Sequence, residues 1–148
     1  MSDAPLIRVR DVMNTSFGTV DANATISEAL EIMRERSSAV LVVGKRHEGD
    51  EYGLLLCSDL GREVLSKDRA PERVKVYEIM RKPVVCVRPE MDIRLCSRLF
   101  DDYRLIRTPV IEGSPLIGTV SPNRLVLLGL FETARADKSA QVPAGHAP

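Results

Sequence analysis

The stretch VRDVMNTSFGTVDANATISEALEIM, residues 9–33, returns later in the chain as VYEIMRKPVVCVRPEMDIRLCSRLF, residues 76–100. At a constant offset of sixty-seven, Met13 falls on Met80, Val20 on Val87, Ile26 on Ile93 and Met33 on Phe100. The register then slips by about one, so that Leu41, Val42 and Val43 fall on Pro109, Val110 and Ile111, and Gly53 meets Gly118 after a shorter second loop. A repeat on this scale constrains the fold more than any local pattern, because both copies must satisfy the same packing.

Each copy has the same grammar. In the first, Thr19 and Val20 form a short extended piece, and Thr25 is the N-cap of a helix running to about Arg36, with Glu28 placed to complete a capping box. Ile26, Ala29, Leu30 and Met33 recur at helical spacing and predict one apolar face. Two strands follow, Ala39 to Val43 and Tyr52 to Leu56, joined by the polar loop Gly44 to Glu51, and then a short helix from Asp59 to Leu65. The second copy predicts an extended Val84 to Val87 and a helix capped by Asp92 with Ile93, Cys96, Leu99 and Phe100 facing in. Strands Thr108 to Ile111 and Leu116 to Val120 follow, with a turn around Gly113 and a last helix from about Asn123 to Phe131.

The expected division is a first repeat over residues 7–66, a charged linker over 67–75 containing Pro71, a second repeat over 76–131, and a disordered tail over 132–148. The fold class is α/β in the broad sense, more strictly α+β: each repeat has a small sheet packed against two helices, and the two repeats are related by a pseudo-twofold.

Composition narrows the function. Twenty-one basic residues balance twenty-one acidic ones, so no net field steers the chain toward nucleic acid or an anionic membrane. Three Tyr, three Phe and no Trp make a poor base-stacking surface. Cys57, Cys86 and Cys96 lack a CxxC spacing and read as reduced core residues. No apolar run is long enough to span a bilayer and no signal-peptide pattern opens the chain, which gives a cytoplasmic expectation. His47 lies in a charged loop and His146 in the tail, so neither is placed to activate a cysteine. Glu48, Asp50 and Glu51 beside His47 match no metal-ligand template and read as a solvated turn. The chain therefore offers no catalytic constellation and no metal site.

The order of elements resembles a tandem pair of CBS domains, also called a Bateman module. The marks are DVM at Asp11 to Met13, EIM at Glu78 to Met80, RTPVIEG from Arg107 to Gly113, and Gly53 and Gly118 at the final strands. They extend over about Val9 to Leu130. The resemblance implies a stand-alone regulatory module, not an enzyme, that binds an adenosyl ligand in clefts between the repeats: AMP, ADP, ATP or S-adenosylmethionine. It implies a homodimer, no required cofactor, and a separate regulated protein that receives the signal.

In that family the glycine is followed by a Thr or Ser three residues later and an Asp six residues later. Neither copy keeps the motif whole. Gly53 is followed by Leu56 and Asp59, so the acid stands without the hydroxyl, with Ser58 one residue before it. The resemblance makes Asp59 a ribose acceptor, and its residue type alone makes it a helix N-cap. Gly118 is followed by Ser121 and then Arg124, a reversal of charge at the acid position. Arg124, with Arg107, would meet phosphate; otherwise Arg124 is a surface arginine paired with Asp101, Asp102 or Glu112. By position, Thr19, Val40 and Leu41 in the first cleft, and Val85 and Thr108 in the second, would flank adenine. The alternative function is a ligand-free dimerisation module with degenerate sites, docking through Leu125, Leu127, Leu128 and Phe131.

Overall fold

A computed structural model describes residues 6–131. Along the chain run α1 (Val9–Val12), β1 (Thr19–Val20), α2 (Ile26–Arg36), β2 (Val40–Val43), β3 (Gly53–Leu56), α3 (Cys57–Leu60) and α4 (Val76–Ile79). They are followed by α5 (Ile93–Tyr103), β4 (Thr108–Ile111), β5 (Leu116–Val120) and α6 (Pro122–Arg124). Both α3 and α6 continue into wider turns, over Gly61–Leu65 and Leu125–Leu130. In the first, the Ser66 N–H donates to the carbonyl of Gly61, five residues back. The mixture of helices and small sheets is the expected α+β class. The predicted tail over 132–148 lies outside the described residues.

The chain divides into two compact units that do not coincide with the sequence repeats. One takes Ser16–Val85; the other joins, among the described residues, 6–15 to 86–131. In the first unit, β1 pairs parallel to β2 and β2 antiparallel to β3, with Val40 opposite Leu56 and Val43 opposite Gly53. All four residues of β2 and all four of β3 are buried, as expected of strands covered on both faces. Ile26, Ala29 and Met33 of α2 pack on this sheet together with Val76 and Ile79 of α4. Leu30, expected on the inward face, is 40% exposed, because it borders an open cavity with Leu60, Val64 and Pro71. Val74, in the charged connector, is also core, and the Lys75 backbone bridges to Thr25.

The other unit repeats the plan. Sheet β4–β5 pairs Thr108 with Val120 and Pro109 with Thr119. The extended piece expected over Val84 to Val87 contributes a single parallel bridge, Val87 to Val110. Its core gathers Ile93, Cys96 and Phe100 of α5 with Val9 and Val12 of α1. Each short helix is therefore buried in the unit built mainly from the other repeat.

Matching caps explain why the long helices begin and end where they do. Thr25 Oγ1 accepts from the Glu28 N–H at 3.1 Å, and Asp92 Oδ1 accepts from the Arg94 N–H at 2.9 Å. Each helix stops at a left-handed residue, Ser37 with φ 51° and Arg104 with φ 51°. The short helices start the same way as each other: the Arg8 N–H donates to Asp11 Oδ2 at 2.9 Å and the Lys75 N–H to Glu78 Oε2 at 2.8 Å.

Candidate functional site

In the first unit, β3 runs without a break into α3, which carries Asp59 in its opening turn. Leu56 holds the N-cap position and makes no side-chain bond, so Asp59 is not the cap that its residue type suggested. Its side chain is almost wholly buried and is held by two guanidinium groups. Arg81 Nε donates to Oδ2 at 2.8 Å and Arg81 Nη2 to Oδ1 at 3.0 Å, while Arg62 Nη2 also donates to Oδ1. These bonds, Arg81's first, outweigh desolvation and hold the Asp59 carboxyl below the usual carboxylate range.

Backbone pairing places Arg81. The Leu54 N–H donates to the Arg81 carbonyl at 2.9 Å and the Arg81 N–H returns a bond to Leu54 at 2.8 Å. Gly53 makes the approach possible, since a Cβ there would stand 3.0 Å from the Arg81 carbonyl oxygen. Of the other residues expected in this region, Thr19 and Ser58 are exposed and Val40 and Leu41 are buried in β2; Val85, expected in the second cleft, is half-buried. Val85 ends the Ser16–Val85 unit, whereas Thr108, expected beside it, lies in the other unit.

In the second unit the equivalent positions are occupied differently. Ser121 follows β5 directly, at the N-cap position of α6, and Thr108 pairs with Val120 one residue earlier. Arg124 does not pair with Asp101, Asp102 or Glu112. Its Nε donates to the Val12 carbonyl at 2.7 Å and its Nη2 to the Met13 carbonyl at 3.3 Å, satisfying the exposed carbonyl end of α1. Glu112 is taken instead by Arg10, which also reaches Glu90 at 3.1 Å.

Arg107 and Thr108 complete the group. Thr108 is fully buried and its Oγ1 has no hydrogen-bond partner; neither has the buried Nε of Arg107. Among the described residues these are the buried side-chain polar atoms left unsatisfied. The Arg107 guanidinium is pushed down from its ordinary pKa, first by burial and then by repulsion from Arg124. Two cations and an orphaned hydroxyl thus gather at the start of β4, a disposition that suits an anionic, hydrogen-bond-accepting ligand.

Sequence reading missed Arg62 and Arg81. Arg62 had a usable signal, a basic residue three positions after Asp59 on a helix. Arg81 had none within its own copy. The cysteines also differ from expectation: Cys96 is buried and its thiol is pushed up to about 11, but Cys57 is exposed and Cys86 half-buried. Cys57 opens α3 just past the buried strand, and its thiol reaches the Met33 sulfur at 3.5 Å. Asp50, in the polar loop, accepts from the Arg46 N–H at 2.8 Å and pairs with Lys82 Nζ at 2.6 Å, bonds that lower its pKa. Among the described residues no cluster of three or more His, Cys, Asp or Glu could hold a metal ion, and no helix is long and apolar enough to cross a membrane.

Comparison with known proteins places this geometry among related chains. A family model, the CBS domain, matches residues 9–63 and again 76–128. CBS domain-containing protein YhcV of Bacillus subtilis is 27% identical over 113 residues, which span 76% of this chain and 79% of that protein. A hexameric CBS-CP12 protein from bloom-forming cyanobacteria superposes with a TM-score of 0.79 at 31% identity, over 92% of this chain and 87% of that one. The CBS domain pair of protein MJ0100, solved in complex with 5′-methylthioadenosine and S-adenosyl-L-methionine, superposes with a TM-score of 0.73 at 19% identity, over 86% of this chain and 99% of that one.

Proposed function

The chain belongs to the CBS-domain family, and from that premise we propose that it is a regulatory small-molecule sensor, not an enzyme, which binds an adenine nucleotide and passes the signal to a separate protein. The observation that carries this reading is the unsatisfied pair at the start of β4, Arg107 Nε and Thr108 Oγ1, with Arg124 close enough to repel Arg107. In the second repeat, Thr108 meets the adenosyl part of the ligand and Arg107, Ser121 and Arg124 its phosphates. The cations favour AMP, ADP or ATP over S-adenosylmethionine, whose sulfonium they would repel. An adenosyl ligand is supported by MJ0100, which binds two such compounds. In the first repeat, Thr19, Val40, Leu41 and Ser58 line the corresponding position, and Val85 joins Thr108 in the second. The chain acts in the cytoplasm.

Thermal unfolding against AMP, ADP, ATP and S-adenosylmethionine tests this reading. A ligand at one hundred times its dissociation constant adds about 2.7 kcal/mol to the stability of the native state. A phosphate-bearing nucleotide should raise Tm in the wild type, and Arg107→Ala should remove the shift. No shift with any compound at millimolar concentration would end the sensor reading.

A second reading, a ligand-free dimerisation module with degenerate sites, is favoured by the last helix. Leu127, Leu128 and Phe131 are 68%, 40% and 60% exposed, whereas Leu125, grouped with them on sequence, is buried. Sedimentation velocity should give a dimer that Leu127→Glu dissociates; a wild-type monomer at micromolar concentration would rule it out.

A further inference from the structure

We propose that Arg81 determines how many ligands the chain accepts: its guanidinium occupies both oxygens of Asp59 and withdraws the acid of the first repeat from a ribose diol, leaving the second repeat as the nucleotide site. The inference rests on the reading that an adenosyl ligand would use this acid.

Burial is unequally shared between the partners. The Asp59 side chain is 5% exposed and that of Arg81 is 53% exposed, so the carboxylate lies beneath and the guanidinium covers it on the solvent side. A carboxylate offers about four lone-pair directions. Arg81 takes two of them, at 2.8 and 3.0 Å, and Arg62 takes a third. A ribose diol brings two neutral donors, whose bonds to the carboxylate lack the Coulomb attraction of the cation they would replace. It would also remove the larger part of the counter-charge from a buried carboxylate and leave Arg62 alone beside it, which is unfavourable in a low-dielectric setting. Nor can the Arg81 backbone withdraw without breaking its two bonds to Leu54.

The second unit shows what the same frame looks like without this closure. Asn14 stands where Arg81 stands, bonded through its backbone to Thr119 at 2.7 and 2.9 Å. There the acid itself has become Arg124, and no carboxylate is present to be covered. The two copies have therefore lost the diol acceptor by different routes. The first has masked it with a second residue; the second has replaced it. The masked one is restored by removing its cover, with the acid left in place.

Equilibrium dialysis against labelled ATP counts the sites. Wild type, Arg81→Ala, Arg81→Met and the double variant Arg81→Ala with Asp59→Asn are compared, each checked for a cooperative melt. Arg81→Met keeps the apolar stem and serves if the alanine variant fails to fold. The expected result is one more site per chain in the Arg81 variants than in wild type, lost again in the double variant. Two sites in wild type, or equal numbers in wild type and both Arg81 variants, overturn the proposal. If wild type binds one ATP and the variants also bind one, the nucleotide reading stands and the role of Arg81 falls. If wild type binds none and Arg81→Ala binds one, masking is upheld and the second-repeat site is refuted. No binding in any form refutes both.

Discussion

Asp59 and Thr108 are both buried polar groups, and they meet that cost in opposite ways. Asp59 is compensated by two guanidinium groups, so its folded pKa lies below its unfolded value. Such a group contributes stability that is present above the unfolded pKa and is lost as pH falls through the folded one. Urea midpoints measured from pH 6 down to pH 2 should therefore fall more steeply in wild type than in Asp59→Asn, with the two curves converging at the acid end. At pH 7 the substitution should cost about 2 kcal/mol, between the small yield of exposed pairs and the larger cost of breaking buried ones. Parallel curves would mean that the pair contributes no pH-dependent stability. Thr108 Oγ1 is uncompensated, and an unmade hydrogen bond of this kind costs about 1–3 kcal/mol. Thr108→Val, which has nearly the same shape, should stabilise the free protein by about 1 kcal/mol in chemical denaturation and weaken ATP binding; a less stable variant would show that the hydroxyl has a partner. Asp59, Arg107, Ser121 and Arg124 were legible in the sequence because each has a fixed place relative to a strand within its own copy. Arg81 was not, because it lies twenty-two residues from Asp59, beyond the first copy, and backbone pairing brings the two together.

The starts of helices α2 and α5 were readable to the residue, since a cap, a 3.6-residue apolar stripe and a polar opposite face all agree. Their C-terminal ends were harder to read, because neither carries the glycine that usually marks one. Ser37 and Arg104 instead adopt φ 51° at equivalent positions of the two copies, and a side chain in that region costs about 1–2 kcal/mol. Ser37→Gly and Arg104→Gly should each raise stability by up to about 1 kcal/mol, the strain relieved being partly offset by the entropy glycine adds to the unfolded chain. Differential scanning calorimetry of both single variants and the double decides the matter; a lower Tm in either would mean that its side chain makes contacts worth more than the strain. The widened turns after α3 and α6 were not legible for a different reason. A five-residue hydrogen-bond step changes the backbone without disturbing the apolar spacing over one or two turns, so the sequence pattern looks the same.

At the scale of the whole chain, the repeat is a unit of sequence but not of packing. Val76 and Ile79 belong by alignment to the second copy and are buried with Ile26, Leu41 and Leu55 of the first. Val9 and Val12 belong to the first copy and are buried with Val87, Ile93 and Phe100. Periodicity cannot reveal such an exchange, because the two short helices are equivalent and either assignment satisfies the same pattern. The exchange has a consequence for how the chain can be divided. A fragment cut as the first sequence repeat, residues 7–66, lacks Val74, Val76 and Ile79, three side chains that together contribute roughly 5–9 kcal/mol of burial. That is comparable with the whole stability of a small domain, about 5–15 kcal/mol. It also keeps Val9 and Val12 with no core to enter. A fragment cut as the compact unit, Ser16–Val85, retains every member of its core. Expressed separately, residues 16–85 should unfold in urea through a single cooperative transition, and residues 7–66 should show none. A cooperative transition in 7–66 would mean that each copy folds within its own sequence, with α1 able to take the place of α4.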